Sequence, residues 1–310
     1  MSEIELVCTE LGPALDVLRG SGFRLDIIYP ADSPHTAILA KDSATVRLTT
    51  EPGAVPADAL PQFKPEFVHT PTGEGAGEGR AGMLYRDLIP SRLGGRYIAS
   101  HIMIPEGGPV SDWVHYHHVR FQMIYVRSGW VRVAYENQGE PFVMDAGDLV
   151  LQPPQIRHRV FESSPGLEVV EIGCPALHPT LADHEMALPN RLGDPQRSFS
   201  GQRFLRHIAA DTPWTPFLTG EAQETAMGRA TGGIAQVRTI RTGGATLTFP
   251  PHAGELVFGF VLDGTARLNS HGDHPLSASD SFVIPPSEPW SIEDASSDFR
   301  LLHVTTAAIE

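Results

Sequence analysis

The sequence has 310 residues, 41% of them hydrophobic, which is enough apolar material for the cores of two ordinary domains. Its 23 basic and 37 acidic residues give a formal net charge of −14 at pH 7, which argues against nucleic acid or an anionic membrane surface as the main partner. The two cysteines, Cys8 and Cys174, are too few for a disulfide framework and too far apart for a CxxC site.

The N-terminus begins Met1-Ser2-Glu3 and lacks the basic and then apolar pattern of a signal peptide. No apolar run reaches the length of about 18 residues that a membrane-spanning helix needs. We therefore expect a cytoplasmic protein whose partner is a small molecule.

Residues 1–52 alternate strand and helix signals. Strands are predicted over 5–8, 24–29, 35–40 and 44–49, and a helix over 11–19 that Gly20 ends. This βαβββ order, with Gly22-Phe23 after the helix, resembles one module of the glyoxalase, or vicinal-oxygen-chelate, family. The resemblance implies modules that work in pairs and share metal ligands. Because one module is present here, we expect it to have a structural or dimerising role.

A linker is predicted over residues 53–81, which are rich in Pro, Gly, Glu and Ala. Such a composition cannot bury enough apolar surface to order itself. Short strands bounded by turn residues then dominate residues 82–185, over 96–104, 114–117, 121–126, 130–135, 148–151, 158–161 and 168–172. This pattern predicts an all-β sandwich or barrel whose inward side chains line a cavity about one small ligand wide.

Three histidines in this region form a candidate metal site. His115 and His117 are two apart on a predicted strand and therefore point to the same face, and His158 comes from another strand. Three neutral nitrogen donors with open positions left over suit a first-row divalent metal. His118 follows His117 directly and lies on the opposite face if the strand continues, so it is a minor candidate.

The spacing of these histidines resembles the two motifs of the cupin family, G(x)5HxH(x)3-4E(x)6G and G(x)5PxG(x)2H(x)3N. Gly129 closes the first motif, and Gly147 and Pro153 precede His158 in the second. Two positions differ: Gln122 stands where the family has glutamate, and Gln155 replaces the glycine after the proline. Gln122 can bind the metal through its amide oxygen or hydrogen-bond a substrate, so the resemblance implies three or four ligands.

Residues 231–310 repeat the landmarks of the first barrel, after a connecting segment at 186–230. Gly264, His252 and Pro285 follow Gly129, His117 and Pro153 at offsets of 135, 135 and 132 residues. A repeat of this length indicates a duplicated domain. The fold class predicted is therefore mainly β, with two tandem cupin (double-stranded β-helix, or jelly-roll) barrels and a small α/β N-terminal module.

The second barrel is predicted to have lost its metal. Pro250 aligns with His115, Val257 with Gln122 and Trp290 with His158, so that His252 alone remains. One imidazole does not hold a metal, and we expect this barrel to serve packing or dimerisation.

The cupin resemblance implies a metal-dependent enzyme. Fe(II) is the expected metal, with Zn, Mn or Ni as alternatives, and the expected reaction is O2-dependent cleavage of a small anionic chelating substrate, such as a hydroxylated aromatic acid or an enolisable compound. The alternatives are an isomerase, epimerase or lyase of a sugar acid, and a non-catalytic binding protein.

Gln122, Arg120 and His101 are the candidate catalytic residues, and a homodimer is expected. Arginines that could hold a substrate carboxylate are Arg86, Arg96, Arg120, Arg127 and Arg157.

Overall fold

The computed structural model describes residues 3–53, 59–73, 75–79, 82–191 and 193–308. Parts of the predicted linker, at 54–58, 74 and 80–81, lie outside the described residues. Residues 1–2, which begin the segment that lacks a signal-peptide pattern, also lie outside them. The fold is mainly β, as predicted. No helix in the described ranges is long and apolar enough to cross a membrane.

The N-terminal module has the predicted βαβββ order. Its elements are β1 (Glu3–Val7), α1 (Leu11–Gly20), β2 (Arg24–Tyr29), β3 (Thr36–Lys41) and β4 (Ala44–Thr49). The strands lie in the order β1-β4-β3-β2, with β1 parallel to β4. Helix α1 packs its apolar side chains against Leu39 and Leu48, with Leu11 buried. The relationship to glyoxalase modules stays a prediction.

The first barrel and the segment before it supply the next strands. These are β5 (Val68–Thr70), β6 (Gly77–Glu78), β7 (Leu84–Asp87), β8 (Ile98–Ile104), β9 (Gly108–Pro109), β10 (His115–His117), β11 (Phe121–Ser128), β12 (Trp130–Tyr135), β13 (Phe142–Asp145), β14 (Leu149–Leu151), β15 (His158–Ser163), β16 (Leu167–Cys174) and β17 (Thr180–Ala182). One of its sheets runs β17-β10-β15-β12-β13, and the other runs β14-β11-β16-β8-β7-β6. Strand β17 also pairs with β2, so the N-terminal sheet continues directly into the sheet that carries the histidines.

The remaining elements form the second barrel and the connection to it. They are β18 (Ser198–Phe199), β19 (Gln202–Arg203), β20 (Leu205–His207), a 3-10 helix (Ala209–Asp211), β21 (Thr215–Phe217), β22 (Gly220–Glu224), α2 (Met227–Ala230), β23 (Ala235–Arg241), β24 (Leu247–Phe249), β25 (Leu256–Asp263), β26 (Thr265–Asn269), β27 (Asp273–Ser277), β28 (Ser281–Ile284), β29 (Trp290–Glu293) and β30 (Arg300–Thr306). One sheet runs β21-β22-β23-β30-β25-β28-β5 and the other β24-β29-β26-β27.

Both segments predicted as connections add strands to the barrels. Strand β5, from the predicted linker, pairs with β28 of the second barrel, and β20, from the connecting segment, pairs with β14 of the first. Sequence composition did not indicate these pairings, because three-residue strands gain their stability from the sheet edge that they join. The domain boundaries given above stay predictions.

The largest apolar core lies between the two barrels. Strand β11 is buried on both faces: Phe121, Met123 and Tyr125 point to the second barrel, where they join Phe258 and Phe260 in one cluster. The alternate side chains of the same strand point into the first barrel. Full burial of each large apolar side chain contributes roughly 2 kcal/mol, so the second barrel supports the strand that carries Gln122.

The pairing of strands corrects one residue of the predicted repeat. His115 pairs with His158 between β10 and β15, and the matching pair between β24 and β29 is Phe249 with Trp290. Phe249, and not Pro250, therefore occupies the position of His115. The two rings stack with centroids 3.8 Å apart and parallel planes, and they pack in the core of the second barrel.

Candidate metal centre

Three buried imidazoles converge inside the first barrel. His115 and His117 project from β10, and the antiparallel register places His158 of β15 directly beside His115. One ligand nitrogen of each ring lies within 4.8 Å of the others. The ring centroids of His115 and His158 are 4.2 Å apart, and His117 lies 5.2 Å from each.

Hydrogen bonds behind the rings define the orientation of these imidazoles. The Nδ1 atom of His115 lies 2.7 Å from the carbonyl oxygen of Trp113, and that of His158 lies 3.1 Å from the carbonyl oxygen of Ile156. Because a carbonyl oxygen can only accept, each Nδ1 carries the proton and each Nε2 carries the lone pair that a metal needs. Asp112 Oδ1 stands 3.5 Å from His115 Nδ1 and reinforces this tautomer.

His117 is held from the neighbouring strand. Its Nδ1 lies 3.4 Å from Thr180 Oγ1 on β17, and its ring meets that of His178 edge-to-face with centroids 5.4 Å apart. His178 in turn donates from Nδ1 to the carbonyl oxygen of Pro175 at 2.8 Å. Strand β17 thus connects this histidine to the N-terminal module. Neither Thr180 nor His178 was identified from the sequence, because the strand that carries Thr180 follows an irregular stretch.

The histidines open into a cavity of about 100 Å³ that is otherwise mostly apolar. Its lining includes, from several strands, Met83, Tyr85, Ile102, Ile104, Ile124, Val131, Val133, Met144, Val160, Leu167 and Val169. Ala31, from the loop after β2, also lines it, so the N-terminal module covers part of the cavity wall. Such a surface excludes water and strengthens the interactions of the polar groups within it.

Gln122 and Glu171 form the polar pair of the cavity. Gln122 Nε2 donates to Glu171 Oε1 at 2.5 Å, and both residues line the space beside the histidines. This bond leaves the amide oxygen of Gln122 available to a metal or a substrate. Glu171 was missed from the sequence, although it shares the parity of Val169 on the predicted strand and alternation therefore predicts that it points inward.

Tyr135 closes the cavity behind His158. Its ring stacks on that of His158, with centroids 5.5 Å apart, and its hydroxyl accepts a hydrogen bond of 2.8 Å from Gln152 Nε2. Burial raises the pKa of the Tyr135 hydroxyl well above its ordinary value, so this group stays protonated.

Two residues predicted to be catalytic lie outside this cavity. His101 is within 2.8 Å of Glu168 and meets the ring of Phe260 edge-to-face, so it faces the second barrel. The hydrogen bond from His101 lowers the pKa of Glu168, together with the charge of Arg127. Arg120 is exposed and lines a separate surface depression with His118. Arg120 was a candidate because it lies near the predicted ligands in sequence, and His101 because it shares a strand face with Tyr97. Neither observation determines which face of the sheet meets the cavity.

The other predicted arginines also bind elsewhere. Arg96 donates to Glu255 of the second barrel at 2.9 and 2.8 Å, and Arg127 pairs with Glu168 at 3.0 Å. Arg157 pairs with Asp183 at 2.9 Å. Arg86 donates to carbonyl oxygens of Pro71 and Ser279. The expectation that these side chains bind a substrate carboxylate in the cavity is therefore not supported.

Arg159 is one of the residues that border the cavity. Its register partner is Ala134, whereas the flanking pairs Tyr135–His158 and Val133–Val160 line the cavity. The Arg159 side chain therefore points to the opposite face of the sheet, where its guanidinium lies 4.9 Å from the centre of the Phe161 ring. Among the described lining residues that face inward, Glu171 is thus the carboxylate and the three histidines are the basic side chains.

Comparison with known families supports the fold and the motif together. The model of the cupin domain family matches residues 100–172, which include the three histidines and Gln122. Residues 100–172 form a cupin domain. The prediction of a mainly β fold with cupin-like jelly rolls is confirmed. A comparison with curated proteins gives no match.

Solved structures of cupins share the fold over most of the chain. The Escherichia coli protein Ylba, of the DUF861 family, is 12% identical, with a TM-score of 0.59, and the match covers 82% of this chain and 97% of that one. Salicylate 1,2-dioxygenase from Pseudaminobacter salicylatoxidans is 18% identical, with a TM-score of 0.55 and coverage of 80% and 86%. A variant of Bacillus subtilis oxalate decarboxylase is 12% identical, with a TM-score of 0.56 and coverage of 82% and 80%.

Proposed function

We propose that the protein is a metal-dependent cupin enzyme that binds one divalent ion through His115, His117 and His158. The observation that carries the proposal is the convergence of the three ligand nitrogens within 4.8 Å inside an apolar cavity. The carbonyl partners of His115 and His158 set the tautomer that coordination requires. Three neutral nitrogen ligands suit Fe(II), Zn, Mn or Ni.

Fe(II) is the metal that we favour, with O2-dependent cleavage of a small chelating substrate as the reaction. When bound, the ion would supply a positive charge and redox chemistry beside open coordination positions. The chain itself positions the substrate against the apolar walls, excludes water, and holds one carboxylate, Glu171, in place through Gln122. Support comes from the shared fold of a salicylate dioxygenase.

A non-redox reaction is the second candidate. The shared fold also includes an oxalate decarboxylase, and the Gln122–Glu171 pair provides a proton acceptor that an isomerase or lyase needs. Gln122 has its amide nitrogen committed to Glu171, and we propose that its oxygen binds the substrate and that it is not a fourth ligand.

Oxygen dependence separates the two candidates. The protein is loaded with Fe(II) or with Zn, and substrate consumption is followed with and without O2 over a panel of enolisable and hydroxylated compounds. Turnover that needs both Fe(II) and O2 supports the dioxygenase. Turnover of the Zn-loaded protein under nitrogen supports the isomerase or lyase, and absence of turnover in every arm contradicts an enzymatic role. A homodimer and a cytoplasmic location stay predictions.

A further inference from the structure

We infer that strand β1 pairs antiparallel with β1 of a second copy of this chain, with Leu6 on the two-fold axis between them. This surface belongs to the N-terminal module, and the inference does not depend on the metal centre. Because β1 lies at one end of the sheet that carries the histidines, the pairing joins that sheet in the two copies into one.

Strand β1 is an open edge. It pairs with β4, and it has no other strand partner among the described residues. All five of its residues, Glu3–Val7, are exposed. A strand edge of this kind presents backbone N–H and C=O groups that another strand can bind.

The backbone groups that point away from the sheet belong to the odd-numbered residues of β1. The N–H group of Cys8 donates to the carbonyl oxygen of Thr49 on β4 at 2.9 Å, so the even-numbered residues direct their backbone groups towards β4. This direction alternates from one residue of a strand to the next. The N–H and C=O groups of Glu5 and Val7 therefore point to the open edge.

Exposed apolar side chains are concentrated beside this edge. Among the described residues, four of the six large hydrophobic side chains that are exposed lie on β1 or α1. They are Ile4, Leu6, Val7 and Val17. Ile4 and Leu6 share the face of the sheet that carries α1, because their register partners Val46 and Leu48 are buried and Leu48 packs against the helix.

Val17 lies on the side of α1 that faces β1. On its other side, α1 borders a groove beside Leu25 of β2 through Leu15 and Arg19. Val17 is about 160° around the helix axis from Arg19, so its side chain points away from that groove and towards β1. Ile4, Leu6 and Val17 thus form one exposed apolar strip, and such a strip indicates an interaction surface.

The charges on β1 restrict how two copies can pair. Glu3 and Glu5 lie 3.8 and 3.9 Å from nitrogen atoms of Arg47 on β4, so that two carboxylates share one guanidinium. If Glu5 lay on the two-fold axis, it would lie opposite Glu5 of the second copy. If Ile4 lay on the axis, Glu3 would lie opposite Glu5. Like charges directly opposite each other destabilise a strand pair, which excludes both registers.

Placing Leu6 on the axis satisfies this restriction. Each Glu5 then lies opposite Val7 of the other copy, and no carboxylate of β1 faces another. An axis one residue further along, at Val7, would leave only that residue of each strand within the pairing, because β1 ends there. The register therefore follows from the charges and the length of β1.

This register also matches the open backbone groups. Glu5 and Val7 of opposite copies exchange N–H···O=C hydrogen bonds, and two such pairs form across the axis. Leu6 meets Leu6 of the second copy as a non-hydrogen-bonded pair, with Cα atoms about 4.5 Å apart and the side chains in contact. That contact lies on the face that carries Ile4 and α1.

The opposite end of the sheet is less open. There, on β13, the carbonyl oxygen of Val143 accepts a hydrogen bond of 2.9 Å from Arg206, whose guanidinium lies 4.2 Å from the centre of the Phe142 ring. A charged side chain on an edge strand opposes the addition of another strand. Pairing of β1 with β13 of another copy would also leave free ends and build fibres, whereas β1 with β1 closes after two copies.

Leu6→Lys tests the surface by placing two positive charges on the axis. The single chain should tolerate the lysine, since Leu6 is 42% exposed. The mass of the full-length protein at micromolar concentration is measured by sedimentation. We expect two chains for the wild type and half of that mass for the variant. Val143→Lys, on the edge strand β13, is the matched control and should keep the wild-type mass.

Cysteine cross-linking tests the register. Leu6→Cys and Glu5→Cys are each made together with Cys8→Ser and are oxidised with diamide. We expect Leu6→Cys to form a disulfide-linked dimer, since its Cα atoms would lie within the range of about 4.4–6.8 Å that a disulfide allows. Glu5→Cys should stay a single chain in denaturing electrophoresis, because the two Glu5 positions lie diagonally across the axis and out of this range.

Three results would overturn the inference. The first is a wild-type protein that sediments as one chain. The second is a Leu6→Lys variant that is folded by circular dichroism and keeps the wild-type mass, because the contact would then lie elsewhere. The third is cross-linking of Glu5→Cys without cross-linking of Leu6→Cys, which would place the axis at another residue. If Leu6→Lys does not fold, the two cysteine variants decide the question by themselves.

Discussion

Acid should destabilise the protein through His303, which lies in the core of the second barrel. Arg238 Nη1 is 3.4 Å from its Nδ1, and the rings of Phe249 and Trp290 lie 5.4 and 5.8 Å from its own. Burial, with smaller contributions from Arg238 and His252, lowers the pKa of His303 to about 3. Protonation would place a positive charge in an apolar core beside a guanidinium.

The magnitude follows from linkage. The unfolded chain binds a proton at this residue below about pH 6.5, whereas the folded protein does so only near pH 3, so stability is lost as the pH falls between these values. The slope for one such group approaches about 1.4 kcal/mol per pH unit below pH 6, which amounts to roughly 2.5 kcal/mol between pH 6 and pH 4. His303 therefore contributes to the loss of stability of the protein in acid.

Urea unfolding at a series of pH values measures this effect. Between pH 6 and pH 4, we expect the free energy of unfolding of His303→Gln to fall by about 2.5 kcal/mol less than that of the wild type. His271→Gln, which changes an exposed histidine of the same barrel, is the matched control. The reasoning is refuted if His303→Gln and the wild type lose stability in parallel.

Three further substitutions test the packing of the two barrels. Glu255→Ala should lower the free energy of unfolding, measured with urea, by about 3–5 kcal/mol, because it leaves the buried Arg96 guanidinium without its carboxylate. A decrease below about 1 kcal/mol would contradict this account. Phe249→Ala should lower the free energy of unfolding by about 3–5 kcal/mol, because it removes the ring that stacks on Trp290. Metal content should stay unchanged, and loss of the metal would show that the barrels are coupled. Gly129→Ala should destabilise by more than about 1 kcal/mol, since the residue has φ +76° and an added Cβ would lie 2.3 Å from Ser164 Oγ; a neutral effect would argue against this turn geometry.

The histidine cluster could be predicted from sequence because it depends on short-range rules. Alternation along a strand places His115 and His117 on one face, and the motif spacing brings in His158. The predicted equivalence of Gly129 and Gly264 also agrees with the structure. Their φ values are +76° and +74°, and an added Cβ at either would meet a serine hydroxyl. Predicting these features does not require the conformation of the longer loops.

Other features depended on contacts distant in sequence. Arg120 was predicted to be catalytic because it lies near the histidines in sequence, and His101 because it shares a strand face with Tyr97. The sheet that packs against the second barrel takes His101 to the face opposite the cavity. The alignment of Pro250 with His115 failed by one residue because the offset between the barrels is not constant, and strand pairing is what identifies Phe249. The strand at Val68–Thr70 forms only because an edge of the second barrel accepts it.

Metal content tests the central claim most directly. The purified protein is analysed for first-row metals, and metal titration is then followed by calorimetry, with His115→Ala and His158→Ala as variants and His184→Ala, a histidine outside the cavity, as the control. We expect about one equivalent per chain in the wild type and in the control, and none in the two cavity variants, with all four proteins folded by circular dichroism. A wild-type protein that binds no divalent metal, or cavity variants that bind as much as the wild type, would contradict the proposed metal centre.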